Sequence, residues 1–345
     1  MSTKISPPTR PVKPVSDRST KAGRRWRRLV AVLLILTTAL TIGYTAVSIY
    51  MATKLVHSSQ LLPTTTPASL GLQYKEISFP SRDDHLQLHG WFIPGVLPDG
   101  QLTAQRTIIM VHGTWKNRTD PAAGLLDLSG KLARHGFAVL AFDLRGHGES
   151  QPAPLSFGIY EQRDVLGAVD FLHSGILPYP ELGRPRSITG WGVSLGAGTL
   201  LMAAAQEPAI RAIVADSAYA DILPSLERKI PEMGHLPPLF TPGGFVAARV
   251  LYGIDYTNIR PMDIIANIAP RPIFLIQGSK DSWIPPSQLN TLADAARTAP
   301  DANVQTWLVP GADHAQSFHT AGEMYVERVV AFYTAALGPD TSVSQ

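Results

Sequence analysis

The sequence predicts an α/β fold: a mostly parallel, eight-stranded sheet with helices on both faces, preceded by one helix long enough to cross a membrane. Three observations carry this expectation. From about residue 107 to 337, short continuous apolar runs alternate with segments of helical spacing, the pattern of strands buried on both faces. Two runs ahead of them alternate in polarity, as half-exposed strands do. Residues 29–53 contain no charged side chain.

Residues 1–28 are rich in Pro, Ser, Thr, Lys and Arg, a composition expected to stay disordered. They hold nine of the 30 Lys and Arg residues and one of the 27 acids, a net +8, which leaves the remainder at −5. The basic balance therefore belongs to the tail, and no nucleic-acid partner is expected for the body. Residues 29–53 exceed the ~20 apolar residues that span a hydrocarbon core. Arg24, Arg25, Arg27 and Arg28 stand just before them. By the positive-inside rule the N-terminus is cytoplasmic and the chain after residue 53 lies on the other side of the cell membrane. A cleaved signal peptide is the alternative, but its apolar region is usually ~7–15 residues and ends in a small-x-small site. A retained single-pass anchor is the expectation. Residues 54–70 read as a stalk, with Pro63 and Pro67 blocking regular structure. The chain has no cysteine, which excludes disulfides, thiolate catalysis and Cys-based zinc sites.

A globular domain is expected over residues 71–340. Residues 74–79 and 86–93 form the front pair of strands, joined by a turn at Ser81 to Asp84. Further strands are expected at 107–111, 137–142, 187–191, 212–215, 273–276 and 304–309. Helices are expected at 122–135, 160–173, 195–206, 286–297 and 322–337. Residues 221–262 break the rhythm with Pro224, Pro231, Pro237, Pro238, Pro242 and Pro261. This stretch is too long for an ordinary connection, and a cap over a site is the natural reading.

Chemistry enters at Gly192-Val193-Ser194-Leu195-Gly196, a G-x-S-x-G motif between a strand and an Ala-rich helix. A serine on so sharp a strand-to-helix turn has a strained backbone, and its neighbours two before and two after must be small. A rival reading uses Gly190, Gly192 and Gly196 with Asp216 as a dinucleotide fingerprint. The spacing is off by one, and the turn lies far from the first βα unit, where that fold carries it.

A serine hydroxyl needs a base to take its proton and a third group to orient that base. With this kind of elbow the acid and then the base follow later, each in a loop after a strand. His314, on the Gly311-Ala312-Asp313-His314 turn, is the expected base, with His319 as a spare. Asp281, in the loop after residues 273–276, is the expected acid, with Asp216 as runner-up. Asp313 is expected to point elsewhere.

Together these motifs resemble the α/β-hydrolase superfamily. His112-Gly113-Thr114-Trp115 follows an early strand, and Asp143-Leu144-Arg145-Gly146-His147-Gly148-Glu149-Ser150 is similar to the D-x-R-G-x-G-x-S segment of that superfamily. The resemblance spans roughly residues 74–337. It implies an oxyanion hole from the backbone N–H groups of Leu195 and Thr114. It also implies that the 143–150 segment is structural, with His147 and His112 as scaffold rather than bases. Trp115 and Trp283 are expected to line a substrate pocket.

The expected function is a membrane-anchored serine hydrolase that cleaves carboxylic esters through an acyl-enzyme at Ser194, needing neither metal nor cofactor. Its partner is a small-molecule or peptide acyl substrate. A serine peptidase or amidase and an acyltransferase are alternatives on the same residues, and a non-catalytic binding scaffold is the alternative of another class.

Overall fold

The computed structural model describes residues 18–58 and 60–338. The chain divides into two units, residues 1–47 and 48–345. A single helix, α1 (Arg18–Leu55), carries an apolar stretch of mean hydropathy 2.1. In the first unit its side chains from residue 22 to 46 are exposed to the surroundings. Helix over residues 18–28 corrects the expectation of disorder there. The last proline of the tail is Pro14, and Lys, Arg and Ala are good helix formers. Residues 1–17, and 339–340 of the expected domain, lie outside the described residues.

The second unit holds the sheet. Its strands are β1 (Lys75–Pro80), β2 (Gln87–Ile93), β3 (Arg106–Val111), β4 (Ala138–Phe142), β5 (Ser187–Val193), β6 (Ile210–Asp216), β7 (Ile273–Gly278) and β8 (Val304–Val309). Their order across the sheet is β1-β2-β4-β3-β5-β6-β7-β8. β1 and β2 pair antiparallel, as do β2 and β4, and all other pairs are parallel. A two-residue ribbon pairs Gly95–Val96 with Leu102–Thr103.

Strand register sorts the apolar residues onto two faces. Ile109 and Val111 of β3 join Leu140, Phe142 and Leu200 in one core; Ile108 and Met110 join Val139, Trp191 and Val329 in the other. The first face is covered by α3 (Gln162–Ser174), α4 (Leu195–Gln206) and α7 (Ser287–Ala296). The second is covered by α2 (Leu125–Arg134) and α8 (Glu323–Leu337). Each fully buried Leu, Ile or Val contributes roughly 1.5–3 kcal/mol. β3 and β5 lie side by side, yet the chain leaves them toward opposite sides of the sheet. Such a switch point opens a crevice beyond the strand ends, where ligands bind.

Two further regions differ from the sequence expectation. Residues 54–70 do not form a free stalk. Ala52, Leu55 and Val56 are buried in the first core, Gln60 Nε2 donates to the Ser150 carbonyl at 3.2 Å, and Asn117 Nδ2 donates to the Leu61 carbonyl at 2.9 Å. Pro67 opens a short turn of helix, Pro67–Leu70, rather than preventing one. The cap region is also more regular than its prolines suggest. It contains α5 (Leu223–Gly234) and α6 (Thr241–Tyr252), with Pro224 and Pro242 in their first turns, where proline is tolerated because no N–H partner is lost.

Two buried arginines tie the loops beneath the crevice. Arg145 pairs with Asp164 at 2.7 Å and Asp84 at 2.6 Å, and Arg118 pairs with Asp143 at 2.5 Å and with Glu149. Removing one partner of such a pair strands a charge. Asp164→Ala is expected to cost roughly 3 kcal/mol or more, seen as a drop in melting temperature on the order of 10 °C by thermal unfolding of the full chain.

Candidate active site

Ser194 alone makes the turn from β5 into α4. Its backbone sits at φ 55°, ψ −118°, a conformation that costs of order 1–3 kcal/mol and persists only when its surroundings impose it. The glycines around it allow the approach. A Cβ on Gly192 would stand 2.5 Å from the Gly196 carbonyl oxygen, and one on Gly196 would collide with the carbonyls of Val111 and His112. The N–H of Ser194 donates to the Asp216 carbonyl at 2.9 Å, so the turn is also held from β6.

His314 comes from the loop after β8 and Asp281 from the loop after β7. Asp313 joins the two loops, its Oδ1 accepting the N–H groups of Ser282 at 2.8 Å and His314 at 2.7 Å. A Cβ on Gly278 would collide with the Ala312 carbonyl, so the two strand ends can close up only at glycine. His314 Nδ1 lies 2.8 Å from Asp281 Oδ2 and its Nε2 lies 2.8 Å from Ser194 Oγ. A carboxylate only accepts, so Nδ1 carries the proton and Nε2 is free to receive the serine's. Asp281 is itself fixed by Gln277 Nε2 at 2.6 Å and by the N–H groups of Trp283 and Ile284 at 2.9 and 2.7 Å. The structure thus brings Ser194, His314 and Asp281 into one hydrogen-bonded chain. His319 is elsewhere, with Nε2 3.1 Å from the Pro121 carbonyl.

Asp216, the runner-up acid, makes no hydrogen bond to His314 among the described residues. Its carboxylate accepts from Ser217 Oγ, Ser317 Oγ and Tyr325 OH at 2.9–3.0 Å. Burial pushes this carboxyl up to about 6, against the pull of those three hydroxyls.

The backbone of residues 113–115 faces the serine. A Cβ on Gly113 would be 3.6 Å from Ser194 Cβ. Trp115 N–H is occupied, donating to His147 Nε2 at 3.2 Å. Among the described residues, no partner takes the N–H of Thr114 or of Leu195, which leaves both available to an oxyanion. Two buried histidines set this loop. His147 Nδ1 donates to the Arg145 carbonyl, and His112 Nδ1 donates to the Gly113 carbonyl while its Nε2 accepts from Leu144 N–H. Burial depresses both, His112 to about 3, so they act as neutral hydrogen-bonding spacers. Sequence reasoning missed Asp120. Its carboxyl accepts from Gly113 N–H at 3.1 Å and is pushed up by burial. No motif marks it, because its role arises from a fold-back of residues 117–120.

A cleft of about 500 Å³ opens at the serine, lined by Thr114, Lys116, Asp120, Trp283, Asp313 and His314 among others. Trp115 and Trp283 both line it, their rings 6.3 Å apart and edge-on.

Comparison with known proteins agrees with this architecture. The sequence profile of the alpha/beta hydrolase family matches residues 108–332. The chain is 26% identical to the uncharacterized protein YfhR of Escherichia coli K12 over 268 residues, which are 77% of this chain and 82% of that one. Among solved structures, the Pyrococcus furiosus esterase Pf2001 superposes with a TM-score of 0.66 at 24% identity, over 82% of this chain and all of that one. Est1E of Butyrivibrio proteoclasticus, solved with ferulic acid bound, gives 0.55 at 19% identity, over 76% and 99% of the two chains. These structural likenesses are of fold.

The position of Asp216 has a measurable consequence. Its folded-state value lies above the ordinary 3.8, so the stability linked to it is fully present below about pH 4 and is lost as pH rises through about 6. Asp216→Asn removes that loss. Melting temperature measured from pH 4 to 7 should therefore decline less in the variant than in the wild type; parallel curves would refute the assignment.

Proposed function

The chain belongs to the alpha/beta hydrolase family, and from that premise we propose that it is a membrane-anchored serine hydrolase acting on carboxylic esters. The observation that carries this reading is the unbroken chain from Ser194 Oγ through His314 to Asp281, with both links at 2.8 Å. Ser194 Oγ attacks the acyl carbonyl as His314 Nε2 takes its proton. Asp281 keeps the imidazole in the correct tautomer and stabilises the imidazolium that forms. The N–H groups of Leu195 and Thr114 hold the oxyanion; one such donor is typically worth ~10²–10³ in rate. The tetrahedral intermediate collapses to an acyl-enzyme, and His314 returns the proton to the departing alcohol. Water, activated by the same base, then releases the acid. The fold shared with the Pyrococcus furiosus esterase supports esters as the first substrate class to test.

Anchoring rests on α1, whose residues 29–53 are uncharged and are preceded by four arginines. That arrangement supports an N-terminus in the cytoplasm and a hydrolase domain across the membrane.

Labelling of the full chain with a fluorescent fluorophosphonate tests the chemistry. Wild type should label, and Ser194→Ala and His314→Ala should lose labelling, with ester turnover falling by ~10⁴–10⁶. A dark but folded wild type would sink the reading, and turnover of aminoacyl amides above esters would move it to a peptidase. Topology can be read in a chain with no native cysteine. Asp99→Cys, on an exposed turn, should react with an impermeant maleimide from outside intact cells; protection until lysis would reverse the orientation.

A further inference from the structure

We propose that the chamber between α5 and the last turns of α1 is the acyl-chain subsite, and that the substrate is a single-chain amphiphilic ester drawn from a lipid surface. The inference rests on the serine-hydrolase reading above and names the substrate class of that site.

Three cavities meet at Trp115 and Trp283. The first is the cleft at Ser194. Its lining includes the polar side chains of Lys116, Asp120, Asp313 and Gln316. The second is a tight slot of about 20 Å³ behind the serine, bounded by Ser194, Leu195, Leu226, Tyr219 and the two tryptophans. The third is a chamber of about 460 Å³ that shares Trp115, Trp283 and Leu226 with the slot. Its further walls include Met51 and Leu55 from α1 and Ile230 and Leu236 from the cap. That volume lies within the ~300–1,000 Å³ of small-molecule sites.

The two ends differ in chemistry. The chamber is lined mostly by aliphatic and aromatic side chains; its lysines lie along rings, Lys54 Nζ 5.7 Å from the Tyr50 centroid and Lys229 Nζ 5.6 Å from that of Trp283. The cleft offers charged and amide groups. An ester bound across Ser194 therefore places its acyl chain past Trp115 and Trp283 into the chamber and leaves its polar alcohol portion in the cleft.

The source of the chain follows from which elements build the chamber. Met51 and Leu55 directly continue the apolar stretch of α1, and Gly244 of α6 packs against Met51, where a Cβ would stand 3.2 Å from the Met51 Cβ. The same α6 leaves Val246, Val250 and Leu251 exposed at 62%, 76% and 52%. An apolar helix surface beside the end of an apolar span fits a lipid interface. Trp115 is also tied to this segment, its indole N–H donating to the His57 carbonyl at 3.0 Å.

The test uses the full chain in lipid nanodiscs and p-nitrophenyl esters from acetate to dodecanoate. Each methylene moved from water into the chamber is worth roughly three- to four-fold. kcat/KM should therefore rise at least ten-fold from butyrate to decanoate. Ile230→Trp and Leu236→Trp, which fill the chamber from two positions, should each lower decanoate at least ten-fold and leave butyrate within two-fold. Fluorophosphonate labelling of the same samples separates the two readings. Normal labelling with a flat chain-length profile, or with equal losses on both esters, overturns the chamber assignment alone. Absent labelling of wild type overturns the hydrolase reading beneath it.

Discussion

The structure turns on one close contact, where the start of α4 presses against the end of β3. Gly196 meets the carbonyls of Val111 and His112 with no room for a side chain. That contact forces Ser194 into its positive φ and lifts its hydroxyl clear of the sheet. It also sets the Leu195 N–H beside the loop that carries Thr114, because the loop begins where β3 ends. The strain at Ser194 is offset by the sheet around it, since β5 is paired on both sides and Ser194 N–H bonds to β6. The geometry of the serine and that of the Leu195 and Thr114 N–H groups are thus one constraint seen from two strands.

Around this contact the loops are held by buried polar groups. Asp143 receives the Arg118 side chain and the N–H groups of Arg118 and Glu149. Arg118 also stacks 4.3 Å from the Trp91 ring centroid. His112 and His147 pack edge-on at 5.1 Å, each using both ring nitrogens on backbone groups. Such partners are needed because an unmade bond to a buried polar group costs about 1–3 kcal/mol. The outcome is a rigid floor under the cleft, with Trp115 and Trp283 as its side walls.

Much of this was legible in the chain. The strands β3 to β7 read as continuous apolar runs because both of their faces are buried, and β8 matched its expected limits of 304–309. Ser194, Asp281 and His314 could be chosen because each sits at the end of a strand in a fixed order. The remainder was not legible because it depends on tertiary contact. Val56 looks like any stalk residue until Leu155 N–H bonds to its carbonyl. Pro224 and Pro242 look like breakers until they are seen in first turns. Asp120 and the chamber walls from α1 belong to no local pattern, since residues 51 and 230 meet only in the folded chain.

The end of α1 has a consequence for how the protein can be divided. A long apolar N-terminal helix is often regarded as a detachable segment, exchangeable for another of equal length. Here Met51, Ala52, Leu55 and Val56 are as buried as residues of the sheet. The final turns of the helix are therefore part of the domain's own folding unit, and a fragment that keeps the core intact has to begin before Ser48. Such a fragment retains an apolar N-terminal stub, so solubility and an intact core pull the choice of boundary in opposite directions.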